Sequence, residues 1–382
     1  MALKILFVEQ YSRISGAEII TLKFFHILKK HYDIDIAAII PGEGDLQKEL
    51  EKLGARILFH DIPPVLSSSA EKKDVVNLLI KAAYDHGANM LYSNMIRAGY
   101  FTALTAVRTG IPMFWHLNET VTKDKLFFLL PVLSSRHVVP VAVSREVKRV
   151  FSPSRCEVLE NPVSNGIIAQ DKFDMNSFGY FGRLIPQKGV HLGLLRFREV
   201  LDAEPGATFT IYGDDRNLGA QYIVEMNRIA KRLKMDGNYS SYKRFLEDLI
   251  LRHGMKERVF FKGFEPDINR IMSDISVVVA PSITKIKEAF GLTAFEAMRA
   301  GRLPVTSRSG AFDIYVKNGY NGFKIDFNKK GSLLNVYSML KDDTLKLKQV
   351  IGNAREFSFK FSEGHFEEKG LKLLQKYFGG RI

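Results

Sequence analysis

Short apolar runs alternate with helix-length amphipathic stretches along almost the whole chain. Ile5–Val8, Ile34–Ile40, Met90–Tyr92, Met113–Trp115 and Val139–Val143 are largely apolar runs of strand length. Runs of this kind, rather than strict alternation, mark strands buried on both faces, as in a parallel sheet covered by helices. Between them, Ala17–Leu28, Leu46–Leu53, Lys72–Tyr84 and Ala98–Val107 repeat their apolar positions at helical spacing. Repeated strand–helix alternation predicts an α/β fold whose binding sites gather at the carboxyl ends of the strands.

The pattern pauses at Asn161–Pro162, stays polar to Asn176, and restarts with Phe178–Phe181, Phe209–Tyr212, Val259–Phe261, Ile275–Val279 and Leu303–Thr306. A domain boundary is therefore expected within 162–176. The division read from the sequence is 1–165, 166–355 and a closing segment 356–382, with a helical tail running from about Leu345 to Phe378. A long connection rich in Arg and Lys, Asp215 to Val259, reads as mostly helical with a solvated charged face, or else as a surface for an acidic membrane or partner.

The 382 residues suit two domains rather than one core, and 46% apolar with 25% charged residues is ordinary globular material. The formal charge is +13, and +10 of it falls after residue 160, so an anionic partner is expected in the second half. The lone Cys156 excludes an internal disulfide and reads as a small buried apolar residue in a reducing compartment. The opening apolar run is too short for a signal peptide, and Leu126–Leu133, interrupted by Pro131, is far short of the ~20 apolar residues of a membrane span. The chain is expected in the cytoplasm, with peripheral contact at the inner face of the membrane left open: Lys123, Lys125 and the following Leu-Phe-Phe-Leu-Leu could lie on anionic lipid, or the helix could pack on the sheet.

The loops narrow the chemistry. Neither G-x-x-x-x-G-K-S/T nor a G-x-G-x-x-G after the first strand is present, which disfavours a P-loop enzyme and a standard nicotinamide enzyme. Ser15-Gly16-Ala17-Glu18 enters the first helix, where Gly16 admits a close approach and Glu18 offsets the helix dipole. In the second half, Gly182 and Arg183 follow a strand, with Lys188 five residues on; two cations there would hold a diphosphate or be plain surface charges. Gly213 ends the next strand. Asp214 with Asp215, and Asp33 with Asp35, lack further ligands nearby, so no metal is expected.

The longest motif is Lys287 to Gly301. Its spacing predicts a helix from Leu292 to Gly301, with Glu288 in the loop before it and Glu296 on its early turns. The amides of Phe290, Gly291, Leu292 and Thr293 lie between the two carboxylates, ready for a phosphate. A carboxylate accepts two hydrogen bonds, which suits a vicinal diol.

Glu288 and Glu296 form an E-x7-E pair inside E-A-F-G-L-T-A-F-E-A-M-x-A-G. With G-R-L-x-x-x-K-G at 182–189 and G-A-E after the first strand, the chain resembles the retaining glycosyltransferases of family 4, of GT-B fold. The similarity is strongest from Phe178 to Ile325 and extends in order over nearly the whole chain. It implies two Rossmann-like domains with parallel sheets facing across a cleft, the first for the acceptor and the second for a nucleotide-sugar donor of UDP or GDP type. It assigns Glu296 to the ribose hydroxyls and Glu288 to those of the sugar. Arg183, Lys188 and the Gly291–Thr293 amides would take the diphosphate, with Gly16 giving it room and Phe264 near the base. His116 falls where such enzymes place a histidine near donor sugar and phosphate. The implied reaction is transfer with retention, by front-face attack, with neither metal nor cofactor. The implied acceptor is a glycan, a lipid-linked or a small molecule, as in bacterial surface polysaccharide or glycolipid synthesis. The chain departs from the family in the long 215–259 connection and in Ser15, where many members have a second glycine. Three other readings are carried: a basic nucleic-acid or membrane-surface binder without chemistry, a sugar-nucleotide epimerase of the same architecture, and a relative that binds the nucleotide without turnover. The 28 phenylalanines fall mostly at core spacing, which speaks against a nucleic-acid partner.

Overall fold

The structure, a computed structural model, describes residues 2–121, 123–151, 155–215, 219–235, 238–283 and 287–380, and of residues 123–125 the backbone only. The chain forms two compact units, Met1–Pro162 with Glu363–Ile382, and Val163–Ser362.

The first unit is built on β1 (Leu3–Val8), β2 (Ile34–Ile40), β3 (Arg56–Phe59), β4 (Met90–Ser93), β5 (Met113–Leu117), β6 (Val138–Ala142) and β7 (Glu157–Val158). They pair in the order β3-β2-β1-β4-β5-β6-β7, every pairing parallel. The order reverses between β1 and β4, the kind of point at which open α/β sheets bind ligands. One face of the sheet carries an aromatic core in which Phe7, Phe24, Phe25, Tyr92, Phe114, Phe366 and Phe378 are buried together. Tyr92 and Phe114 stack at 5.7 Å between ring centroids. Phe366 and Phe378 come from the last helix, Glu363–Phe378, which is how the chain's end completes this core.

The second unit is built on β8 (Ser177–Phe181), β9 (Thr208–Tyr212), β10 (Val259–Gly263), β11 (Val277–Ala280), β12 (Leu303–Ser307) and β13 (Phe323–Ile325). Its order, β10-β9-β8-β11-β12-β13, is again all parallel and reverses between β8 and β11. Both units are thus Rossmann-like sheets, as the alternating pattern implied.

The tail departs from expectation. Instead of one helix from Leu345 to Phe378 there are two, Thr344–Ser358 and Glu363–Phe378, separated by a 3-10 turn at Phe359–Phe361 and an extended Ser362. Phe361 is drawn into the second unit, 4.5 Å from Phe295, while Phe366 lies 6.1 Å from Phe24 in the first. Aromatic residues five apart serve different cores, so the helix breaks between them. The helix Lys123–Leu133 runs through Pro131 in its last turn, where proline has no N–H to donate to the carbonyl four residues back. Among the described residues no helix is long and apolar enough to cross a membrane. Cys156 is buried, and burial pushes its thiol up to about 11.

Candidate active site

The carboxyl ends of β8 and β11, neighbours at the reversal of the second sheet, bring Lys188 and Glu288 together. Gly213, leaving β9, has φ +145, and a Cβ there would sit 1.9 Å from the Gly182 carbonyl oxygen. Only glycine permits that approach, which seats the loop after β8 against the loop after β9. The Gly182 amide donates to Tyr212 O at 3.0 Å and the Leu184 amide to Asp214 O at 3.0 Å. The buried Tyr180 hydroxyl donates to Arg183 O at 2.8 Å, fixing the backbone that presents an exposed Arg183. A 3-10 turn, Pro186–Lys188, follows, and Lys188 Nζ donates to Glu288 Oε1 at 2.6 Å.

Glu288 arrives from the loop after β11. The Ser282 hydroxyl donates to the same Oε1 at 2.5 Å. Its backbone is held from β12's side: the Glu288 amide donates to Ser309 Oγ at 3.3 Å, and its carbonyl accepts from the Ala311 amide at 2.9 Å. Only 12% of the Glu288 side chain is exposed. Burial raises its pKa, but the Lys188 charge and hydrogen bond, the Ser282 hydroxyl and the Arg183 charge outweigh it, leaving the carboxyl below its ordinary 4.5. The site therefore holds an ionised carboxylate against a lysine at neutral pH.

The helix Leu292–Arg299 starts at Gly291, whose φ is +82. Phe290 is buried and stacks on Phe295 at 4.5 Å, anchoring the helix entrance. The amides of Gly291, Leu292 and Thr293 stand at this amino end, where the helix dipole favours an anion. Glu296 is half-buried on the second turn. Phe264 follows β10 and is 67% exposed, so its ring is open to a planar ligand.

Gly16 and His116 lie in the first unit. Gly16 opens the helix Gly16–His31 with open space around its Cβ position. Glu18 Oε2 accepts from the Ser15 amide at 2.8 Å and the Ser15 hydroxyl at 2.5 Å, so its work is to cap that helix. His116 is the penultimate residue of β5 rather than a loop residue, and it is fully buried. Its Nδ1 faces the Tyr92 hydroxyl at 3.2 Å, and burial lowers its pKa to about 4, so the ring is neutral at pH 7.

Ser282, Ser309, Tyr180 and Gln187 escaped sequence reasoning. Ser282 stands directly after a buried strand and Pro281, which is a usable signal for a strand-end ligand; the other three have none. Asp215 is accounted for: it accepts from the Ser241 hydroxyl at 2.7 Å and the Lys243 amide at 3.0 Å, at the start of the helix Tyr242–Arg252.

Residues 169–357 match the family described as glycosyl transferases group 1. Over 366 residues the chain is 24% identical to an uncharacterized glycosyltransferase of Methanocaldococcus jannaschii, covering 90% of each chain. Over 376 residues it is 23% identical to the UDP-Gal:alpha-D-GlcNAc-diphosphoundecaprenol alpha-1,3-galactosyltransferase of Escherichia coli, covering 89% of this chain and 88% of that one. The crystal structure of Anabaena HepE in complex with UDP and glucose has a TM-score of 0.77 at 20% identity, with 98% of this chain and 100% of that one covered. The apo lipopolysaccharide outer core galactosyltransferase WaaB has a TM-score of 0.69 at 15% identity, with 99% and 100% covered. The family match lies over residues 169–357, in the second unit, and the fold shared along both units is that of GT-B glycosyltransferase structures.

Proposed function

We propose that the protein transfers a hexose from a UDP- or GDP-type nucleotide sugar to an acceptor hydroxyl, with retention and without a metal or other cofactor. The observation that carries this reading is the Lys188–Glu288 pair at 2.6 Å beside the amino end of the helix Leu292–Arg299. A cation, free amides and an ionised carboxylate in one place suit a diphosphate and a sugar together. Arg183, Lys188 and the amides of Gly291, Leu292 and Thr293 receive the charge that develops on the leaving diphosphate, the work a divalent cation does elsewhere. Glu288 orients the sugar through its hydroxyls, Glu296 takes the ribose diol, and Phe264 lies along the base. The bond from the anomeric carbon to the phosphate oxygen breaks with its electron pair leaving on the nucleoside diphosphate. The acceptor oxygen bonds to the same face of that carbon, and its proton passes to the departing phosphate. Gly16 and His116, the latter a buried and neutral imidazole, are the first unit's share of this reading.

A UDP donor is favoured by the likeness to HepE, solved with UDP and glucose, and to a galactosyltransferase named for UDP-Gal. That relative's diphosphoundecaprenol-linked acceptor favours a lipid-linked or glycan acceptor at the inner face of the membrane, in surface polysaccharide or glycolipid synthesis. A peripheral membrane contact gains support from Phe127 at 74% and Phe128 at 50% exposure on the helix Lys123–Leu133; the side chains of Lys123 and Lys125 lie outside the described residues.

Saturation-transfer NMR with UDP, GDP, ADP and a short oligonucleotide tests the reading, together with release of nucleoside diphosphate from sugar nucleotides in EDTA. UDP or GDP binds, the oligonucleotide does not, and release continues with EDTA present. Glu296→Ala weakens nucleotide binding, whereas Arg183→Ala chiefly slows release. Unchanged binding and release in both variants would overturn the site, and rescue by a divalent cation would overturn the metal-free mechanism.

A further inference from the structure

The connection after β9 is longer than the resemblance leads one to expect, and its described residues form two helices, Ala220–Arg232 and Tyr242–Arg252. The second is a core element: Tyr242, Phe245, Leu246, Leu249 and Ile250 are all buried in the core of the second unit. The first buries Met226 and Ala230 and packs Ile223 and Ile229, partly buried, against the same core.

Its Glu225 accepts a hydrogen bond from Gln187 Nε2 at 2.5 Å. Gln187 is the middle residue of the turn Pro186–Lys188, and its carbonyl accepts from the Ile283 amide, in the loop after β11, at 2.9 Å. The next residue is Lys188, paired with Glu288 at 2.6 Å. The turn is therefore held from two directions, by its backbone toward the loop that carries Glu288 and by a side chain toward the extra helix. Lysine reaches through a flexible four-carbon stem, so the place its ammonium occupies depends on how firmly its Cα is set.

We propose that Glu225 is a positioning residue: through Gln187 it fixes the turn that aims Lys188 at Glu288 and at the donor's diphosphate. The extra helix is thus a brace for the cationic turn. The part concerning the diphosphate rests on the function proposed above; the part concerning Glu288 does not.

The test separates the two. In the full-length protein without ligand, the side-chain carboxyl carbon of Glu288 is titrated by NMR in the wild type, Glu225→Ala, Glu225→Gln and Lys188→Ala. Glu225→Ala moves the Glu288 midpoint upward, toward that of Lys188→Ala, and Glu225→Gln, which keeps an oxygen for Gln187, returns it. Calorimetry then compares UDP with uridine. Glu225→Ala lowers the preference for UDP about threefold to tenfold, the worth of one ordinary hydrogen bond, and leaves uridine affinity unchanged. In a Lys188→Ala background, Glu225→Ala has no further effect, because both act through one ammonium group. A Glu288 midpoint unmoved by Glu225→Ala overturns the brace, as do additive losses or an equal loss of uridine and UDP affinity. If the midpoint moves but Lys188→Ala leaves the preference for UDP intact, the brace stands and the assignment of Lys188 to the diphosphate falls.

Discussion

Glu288 is a carboxylate caught between burial, which favours its neutral form, and a lysine, a hydroxyl and an arginine that favour its charged form. The charged form wins, since the pKa lies below 4.5. The sign of the linkage follows: a lowered native pKa adds stability above the unfolded value, and that stability is lost as pH falls through the native one. Lys188→Met leaves the acceptor buried with its strongest partner gone. The expected loss is about 1–3 kcal/mol at pH 7, read by urea unfolding. The gap between variant and wild type closes as pH drops from 4.5 through the lowered value, because a protonated Glu288 no longer needs the lysine; a gap independent of pH would mean that the lysine serves packing alone. The sequence showed Glu288, Glu296, Arg183 and Lys188 as candidates because charged residues stand out in glycine-rich loops after apolar strands. It did not show that Lys188 and Glu288, one hundred positions apart, share a hydrogen bond. Nor did it show Glu225, since a helix-face glutamate looks like any other until the chain folds; Ser282, just after a buried strand, carried a signal that only the fold made specific.

At the level of elements, the amino end of the helix Leu292–Arg299 depends on the residue before it. Gly291 has φ +82, and a Cβ there would lie 2.2 Å from Cε1 of Phe312, a ring that is itself buried. Gly291→Ala therefore meets both a left-handed backbone and a clash with a ring that cannot give way. It is expected to cost more than about 1 kcal/mol in chemical unfolding and to weaken UDP binding by displacing the Leu292 and Thr293 amides. Wild-type stability in this variant would show that the turn tolerates a side chain. The apolar runs revealed the buried strands to within a residue or two, because a strand enclosed on both faces must be apolar throughout. They did not reveal β3, β7 or β13. β3 is an exposed edge strand without alternation, β7 has two residues and β13 three, too few to make a pattern. The break in the tail was hidden too, since Phe357, Phe361 and Phe366 continue an apolar spacing that periodicity reads as one helix.

For the molecule as a whole, the +13 charge and the apolar ridge on the first unit bear on the same question, whether the protein rests on a membrane. The two contributions differ in their physics and so can be separated. Charge attraction to anionic lipid is worth about 1 kcal/mol per basic residue near the surface and fades with salt. Burial of a phenylalanine ring in lipid is worth about 1.5–3 kcal/mol and does not. On the helix Lys123–Leu133, Leu129, Val132 and Leu133 are buried, while Phe127, Phe128 and Leu130 face out. Packing on the sheet thus occupies one side of the helix and leaves an apolar side over. In sedimentation with phosphatidylcholine–phosphatidylglycerol vesicles, Phe127→Ser with Phe128→Ser should lower the bound fraction at every salt concentration, by at least tenfold in affinity. Raising the salt should weaken wild type and variant by the same factor, because the substitutions leave the charge alone. If the variant sediments like the wild type, the ridge does not enter lipid, and the net charge alone accounts for whatever binding remains.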